Sequence, residues 1–539
     1  MPPSKRPRVL VIILALLVLF SAVAIKQQPQ AFYPILDFEV SDANGDLTLS
    51  FAFESRPNLE ACETMLGNIA RRTMMNCPVC SAKQMRCDDQ LNPTQKSLFS
   101  NQPLDTFSGK MANGIVTYSS ANAAFAKAAC SASEAQSLKR GISFKCFRPG
   151  EVRVLPQDKP DFNPGWGVWM ILGVSALVSW LSVWLILRYE HLHAHISHDH
   201  VDSGPQKYHE FPTPRIGGIA LILGLLASFS ILLALGFGPT ANDVSDLHDA
   251  RFLALSFGML LLASSPAFLG GLIEDITKRV GVAERMFLTM LSGSIAAWLL
   301  GAVLPYLHVP LLDEALSWYP FAIVFTVFAV GGIANALNII DGYNGLAGGF
   351  SIIILAGMAL VGYLVGDSLV FSMSLALAGA LVGIMFWNWP GGRIFLGDGG
   401  AYLTGFLLAE LSVLMVVRNP EVSPWFPLAL LIYPVFETFF SIYRRKFGNG
   451  VSPSLPDNQH LHQLIHDNLV PSTTRHGVPL SQLQMNSRVA KYFWAPAAVL
   501  VVFSTLFYSD TPMLIMAAMA FCLFYVTNYL RIARRHPGG

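Results

Sequence analysis

From residue 166 onward, apolar stretches of about twenty residues follow one another with only short polar breaks, each long enough to cross a hydrocarbon core of about 30 Å. In hydrocarbon the backbone must satisfy its own N–H and C=O groups, so such stretches are committed to helix. They fall at 167–187, 216–237, 252–273, 286–306, 319–338, 349–366, 369–389, 401–417, 425–443, 489–508 and 511–530. An earlier run, 9–25, follows the basic start "MPPSKRPR" and reads as a membrane anchor or a secretory signal, with "SAVA" offering an A-x-A-like cleavage site. The expected fold is therefore a polytopic α-helical membrane protein of about 11–12 transmembrane helices. Composition agrees: 13% of residues are charged, against about 25% in soluble domains. The net charge of +1 gives no case for a nucleic-acid partner.

Charge placement sets the orientation. If the first run leads outward, the second returns inward at Arg188 and the loops alternate from there. The inside loops then hold Lys207, Arg215, Lys278, Arg279, Arg285, Arg393, Arg444, Arg445, Lys446, Arg475, Arg488, Arg531, Arg534 and Arg535. The short outside loops hold little beyond Arg251 and Arg418. That asymmetry is the positive-inside pattern.

Residues 26–160 differ in kind: polar, poor in apolar runs, and carrying six of the seven cysteines (Cys62, Cys77, Cys80, Cys87, Cys130 and Cys146). An even count in an extracytoplasmic segment predicts three disulfides of open pairing. "CPVC" alone is a weak redox or metal motif. The alternation in "LDFEVSDANGDLTLSFAF" predicts a hairpin turning at "DANGD", and "NLEACETMLGNIARRTM" reads as an amphipathic helix. A small α/β domain with a cysteine framework is expected here. Cys522, in the last span, reads as a small apolar residue.

In this topology the unusual polar clusters all face inward, where ionisable groups near membrane depth are costly and usually functional. "KYHEFPTPRIGGIALI" supplies Lys207, His209 and Arg215, with glycines permitting close approach. "GLIEDITKR" places the adjacent acids Glu274 and Asp275 at a span end. They suit a magnesium ion that also holds phosphates, or a helix end paired with Lys278 and Arg279. In "NALNIIDGYNGLAGG", Asn335, Asn338 and Asp341 are spaced by three and share a helix face if the span persists to Asp341. Capping explains one such residue beside a glycine, but not three aligned. In "WPGGRIFLGDGGAYLTGFLLAEL", Asp398 precedes a span as a metal-binding carboxylate or an N-cap. "PDNQHLHQLIHD" offers His460, His462 and His466; zinc lacks further ligands there, and phosphate recognition is equally natural. The tract "HLHAHISHDH" reads as an interfacial loop.

Taken together and in order, "PTPRIGG", "EDITKR", "NALNIIDGYNGLAGG", "FLGDGGAYLTGF" and "HLHQLIHD" resemble the polyprenyl-phosphate N-acetylhexosamine-1-phosphate transferase family (glycosyltransferase family 4). Its members include the bacterial phospho-MurNAc-pentapeptide translocase and the enzymes that start O-antigen. The resemblance covers residues 166–508, leaving 1–25 as anchor or signal, 26–160 as the outer domain, and 509–539 as an added span with a basic tail. It implies a magnesium-dependent reaction, with manganese as a substitute, in the bacterial inner membrane. An amino-sugar 1-phosphate would pass from UDP-N-acetylhexosamine to undecaprenyl phosphate in the bilayer, releasing UMP and starting a cell-envelope glycan. Phosphoryl transfer of this kind needs positioning and charge neutralisation more than covalent help.

Residue by residue, the resemblance makes Asp398 a metal ligand and Asp275 the second acid of a paired-acid motif, catalytic and metal-binding. Asp341 and Asn338 match active-site polar positions, with Asn335 beside them. Asn344 stands where several members have a nucleotide-associated aspartate. His460 and His462 match the histidine motif for substrate phosphate or sugar, and Lys207 matches a basic residue of the first loop, where Arg215 is a further substrate-binding candidate by its charge. The sequence departs from the family pattern at Glu274, where the paired acids are Glu-Asp rather than Asp-Asp, and at Asn344, which lacks the charge. A homodimer is compatible with all of this. The competing class is a polytopic transporter of a polar or phosphorylated solute. It would call for internal repeats, and no convincing repeat is present.

Overall fold

The computed structural model describes residues 32–42, 45–53, 59, 62–63, 65–66, 80–88, 104–111, 114–139, 144–150, 166–199, 212–237, 244–419, 421–449, 457, 459–473 and 479–534. The run at 9–25, Lys207 and His209 lie outside these residues. The chain divides into two compact units, one of which spans Ile25–Asp161.

That unit is built on a six-stranded antiparallel sheet of order β3-β1-β2-β5-β4-β6. Its strands are β1 (Tyr33–Asp42), β2 (Gly45–Phe53), β3 (Cys80–Asp88), β4 (Phe107–Met111), β5 (Gly114–Ser120) and β6 (Phe144–Phe147). β1 and β2 form the expected hairpin, with Asp42 opposite Gly45, whose φ of 116° suits a residue without a Cβ. Helix α1 (Ala123–Lys139) packs on β4, β5 and β6. The described residues of the expected amphipathic segment, 59, 62–63 and 65–66, are helical, and Cys62 and Leu66 join Leu36 and Phe38 in a small core. Disulfides link Cys62 to Cys87 and Cys130 to Cys146. Cys77 of the third expected bridge lies outside the described residues.

The other unit is helical: α2 (Trp166–Arg188), α3 (Glu190–Ser197), α4 (Gly217–Phe237), α5 (Val244–Thr277), α6 (Val282–Leu300), α7 (Pro310–Ser317), α8 (Tyr319–Ile340), α9 (Leu346–Leu364), α10 (Ser368–Asn388), α11 (Gly397–Arg418), α12 (Trp425–Leu430), α13 (Ile432–Tyr443), a π-helix (Arg444–Asn449), α14 (Leu461–Asn468), α15 (Gln482–Leu506) and α16 (Thr511–Ala533). Among the described residues nine helices are long and apolar enough to span a membrane: α2, α4, α5, α8, α9, α10, α11, α15 and α16. This is a multi-pass membrane protein.

Two expected spans differ in detail. The run at 286–306 becomes α6, which starts earlier and stops at Leu300, where Gly301 takes a left-handed φ of 64°. The run at 425–443 is broken at Leu431 into α12 and α13. Pro434 explains the break, since it has no N–H to give the Leu430 carbonyl four residues back and its ring crowds that group. Helix α11 is the axis of the unit, buried along nearly its whole length and flanked by α4, α5, α6 and α8.

Candidate active site

The motif "PTPRIGG" lies between two distant segments. Thr213 and Pro214 pair with Asp199 and His198, and the Arg215 N–H donates to the Ser197 carbonyl at 2.9 Å. On the other side the Phe395 N–H donates to Pro214, while the N–H groups of Gly217 and Gly218 donate to Phe395 and Leu396. Residues 191–197 of the histidine tract are thus helical rather than a loop, with His193 bonded to Ser197 and to the Ile186 carbonyl, while His198 and Asp199 form the paired strand and His200 lies outside the described residues. Among the described residues the tract gathers no metal-ligand group.

Glycines allow this closeness. A Cβ on Gly218 would sit 2.5 Å from the Gly400 nitrogen, and one on Gly271 would sit 2.5 Å from the Asp398 carbonyl carbon. Gly397 has φ of 75°, and a Cβ there would run into the Arg215 carbonyl. The first turns of α4 and α11 and the last turns of α5 therefore meet backbone to backbone, which small residues make possible in membrane bundles.

At this junction Asp275, 1% exposed, caps α11 from α5. Its two oxygens accept the Asp398 and Gly399 N–H groups, each at 2.9 Å, and Arg215 Nε lies 3.4 Å away. The first N–H groups of a helix have no partner in their own helix and carry its positive end, so a carboxylate there is favourable. Asp398 then faces outward from the turn. Its Oδ1 accepts from Arg215 Nη2 at 3.2 Å and from Asn338 Nδ2 at 3.1 Å; its Oδ2 accepts from Arg285 Nη1 at 2.5 Å. Tyr402, one turn along α11, donates to Asn338 Oδ1 at 3.2 Å and so fixes the amide.

Helix α8 ends at Ile340, and Asp341 is its C-cap. Enclosure by protein and the Asp398 and Asp275 carboxylates push the Asp341 carboxyl well above its ordinary range, against the opposing influence of Arg215. Asn335 does not join Asn338: it donates to Thr289 on α6 and to the Gly331 carbonyl. A spacing of three on a 3.6-residue helix leaves enough rotation to give the two amides different neighbours. Glu274 accepts from the Val280 N–H at 2.7 Å, closing the turn after α5. Asn344 is buried, with its N–H bonded to Asn486 on α15 at 2.8 Å and its side chain against Gly392. The next residue, Gly345, donates to Asn388 on α10.

The histidine motif closes on the same loop. The nearest atom to a Cβ on Gly342 would be His462 Nε2, at 3.8 Å, and the Tyr343 ring packs against both His462 and His466. The His460 and His462 rings stack 5.2 Å apart. Burial and the neighbouring His460 hold the His462 imidazole well below its ordinary pKa. Asp457, ahead of α14, is pushed up by burial but pulled down further by the Ser441 hydroxyl, His460 and Arg444, so that it ends below the usual carboxylate range.

Asp398, Asp275, Asp341, Asn338, Arg215, His460 and His462 are thus brought to one end of the bundle; Asn335 turns to Thr289 and Gly331, while Glu274, bonded to the Val280 N–H, still acts through its charge on Arg285 and Tyr402. Sequence reasoning missed Tyr402 and the residues of α13 that hold the histidines, and took Arg285 only as a topological charge. The i, i+4 spacing of Asp398 and Tyr402 was a readable signal for the first; nothing local announced Arg285's partner, 113 positions away.

The model of the family described as "Glycosyl transferase family 4" matches residues 257–416, the stretch from mid-α5 to the end of α11. The chain is 31% identical over 258 residues to a probable undecaprenyl-phosphate N-acetylglucosaminyl 1-phosphate transferase of Bacillus subtilis, covering 48% of this chain and 66% of that relative. It is 27% identical over 367 residues to a decaprenyl-phosphate N-acetylglucosaminephosphotransferase of Mycolicibacterium smegmatis, covering 61% and 81%. A phospho-N-acetylmuramoyl-pentapeptide-transferase of Staphylococcus carnosus is 25% identical over 235 residues, covering 41% and 68%.

Proposed function

The chain belongs to glycosyl transferase family 4, and from that premise we propose that it transfers an N-acetylated amino-sugar 1-phosphate from a UDP-sugar to undecaprenyl phosphate. An oxygen of the lipid phosphate attacks the β-phosphorus of the UDP-sugar, the bond to UMP breaks, and UMP leaves. The product, undecaprenyl-diphosphate sugar, starts a cell-envelope glycan. The observation that carries this reading is the Asp398 carboxylate at the mouth of α11, held between Arg215 and Arg285 with Asn338 beside it.

The donor set fits magnesium. It is all oxygen, from Asp398, Asp341 and the Asn338 amide, and the carboxylates of Asp398, Asp275 and Asp341 lie close enough to act on one another. Among the described residues no three His, Cys, Asp or Glu side chains form a protein-only cage. That matches an ion which usually takes one or two carboxylates and completes its shell with water and substrate phosphate. Asp398 and Asp341 would hold it, with Asp275 behind them, and it would neutralise charge building on the transferring phosphoryl group. Arg215 and Arg285 bring guanidinium groups to the same place and suit the remaining phosphate oxygens. Asp341 would take its catalytic part through that ion. His460 and His462 bind phosphate or sugar from the side of α14, and Lys207 from the first loop.

The site faces the cytoplasm of a bacterial inner membrane and residues 26–160 face outward, a sidedness supported by the positive-inside pattern. The assembly proposed is a homodimer. The test incubates purified protein with undecaprenyl phosphate, magnesium or manganese and a panel of UDP-sugars while UMP is followed. Release with an N-acetylated sugar supports the reading, and no release with any of them overturns it.

A further inference from the structure

Helix α13 carries polar side chains at every fourth position, Tyr433, Glu437 and Ser441, which a helix stacks on one face. Each holds a different point of the segment entering α14. The Tyr433 hydroxyl lies 3.2 Å from His462 Nδ1. Glu437 accepts from His460 Nδ1 at 2.9 Å and from the Leu461 N–H at 3.3 Å. Ser441 donates to Asp457 Oδ2 at 2.6 Å. One stripe on one helix thus sets the register from Asp457 through His462. Its middle member is a carboxylate only 1% exposed.

A buried ionisable pair adds little net stability over an apolar pair of the same volume; its consequence is a fixed geometry. On an imidazole, the hydrogen bond at one nitrogen decides which nitrogen is left for other work and in which plane it lies. Glu437 occupies Nδ1, so the working atom of His460 is Nε2, on the edge toward Asp457, 3.6 Å away. The stack on His462 restrains the ring further, and the Leu461 N–H bond holds the Glu437 carboxylate itself in place.

Resting on the transferase reading above, we propose that Glu437 is a positioning residue: it orients His460 so that Nε2 meets a substrate phosphate. It contacts no substrate itself and acts through the ring. Glu437→Gln replaces one of its two acceptor oxygens with a donor and removes the charge, so the ring loses its fixed plane.

The test is a double-mutant cycle on the full chain in lipid nanodiscs, following UMP release with both substrates varied. Glu437→Gln is expected to raise KM for at least one phosphate substrate by about tenfold while kcat falls less than about threefold. In a His460→Ala background the same change should add nothing, because two residues acting through one ring are not additive. Glu437→Asp, which keeps the charge, should restore part of the loss; if the Gln variant fails to fold, the cycle is run with Asp. Additive losses, or wild-type kinetics in both Glu437 variants, overturn the inference alone. A wild-type protein that releases no UMP overturns the transferase reading and this inference with it.

Discussion

At the scale of single residues, Asp275 and Asp398 are joined by a hydrogen bond and yet have separate tasks. Asp275 uses both oxygens on the first N–H groups of α11, so Asp275→Asn would aim an amide donor at one of them. That change is expected to cost about 1–3 kcal/mol, read as a lower melting temperature of the purified protein; an unchanged melt would contradict the cap. Asp398→Asn keeps the shape and leaves the cap alone. It should lower UMP release by at least about a hundredfold with a near-native melt, and near-normal turnover would overturn the proposed metal-binding role of Asp398. His462 gives a pH signature. Its pKa is depressed in the fold, so below the ordinary value of 6.5 the unfolded chain binds a proton that the folded chain refuses. Stability from this residue is therefore present above about pH 6.5 and declines as pH falls. Melting between about pH 7.5 and pH 5.5 should show a steeper decline for wild type than for His462→Gln, and equal slopes would clear His462. The identity of these residues was legible in the motifs. Their duties were not, because a carboxylate's role depends on which donors surround it.

At the scale of elements, the junction of α4, α5 and α11 exists because glycine occupies the crossing points. Gly218→Ala places a Cβ 2.5 Å from the Gly400 nitrogen, a backbone atom that cannot swing aside. Overpacking of about 1–3 kcal/mol should follow, with at least about a tenfold loss of UMP release, since Arg215 three residues earlier must shift. Gly332→Ala on α8 meets nothing within 4 Å and serves as the control, with an expected change in stability within about 1 kcal/mol. A matching melt for the two variants would show that the junction is not tightly packed. "IGG" announced close approach in the sequence, though not which helices approach. The break in α12–α13 was readable at Pro434. The stripe of Tyr433, Glu437 and Ser441 was also there in the i, i+4 spacing, hidden because a polar face on an apolar helix gives no sign of its partner.

At the scale of the molecule, two units with separate cores share the chain. The Cys130–Cys146 bridge closes a loop of 16 positions, so replacing both cysteines with serine should destabilise the Ile25–Asp161 unit by about 3 kcal/mol. UMP release should stay at the wild-type level, and a parallel loss of activity would show that this unit supports the transferase. The sequence by itself determined the class of the protein, its run of apolar helices and the motifs at their ends. Those depend on contiguous residues: transfer of a twenty-residue apolar stretch, backbone self-satisfaction and the local chemistry of a turn. Only the tertiary structure decided that Arg215, Asp275, Arg285, Asn338 and Asp398 form one cluster, that Asn335 bonds to Thr289 and Gly331 instead, and that Glu437 holds His460. Those contacts join residues separated by up to 183 positions. They depend on the rotation and depth at which helices pack, a balance of small-residue contacts and buried hydrogen bonds that no single segment carries alone.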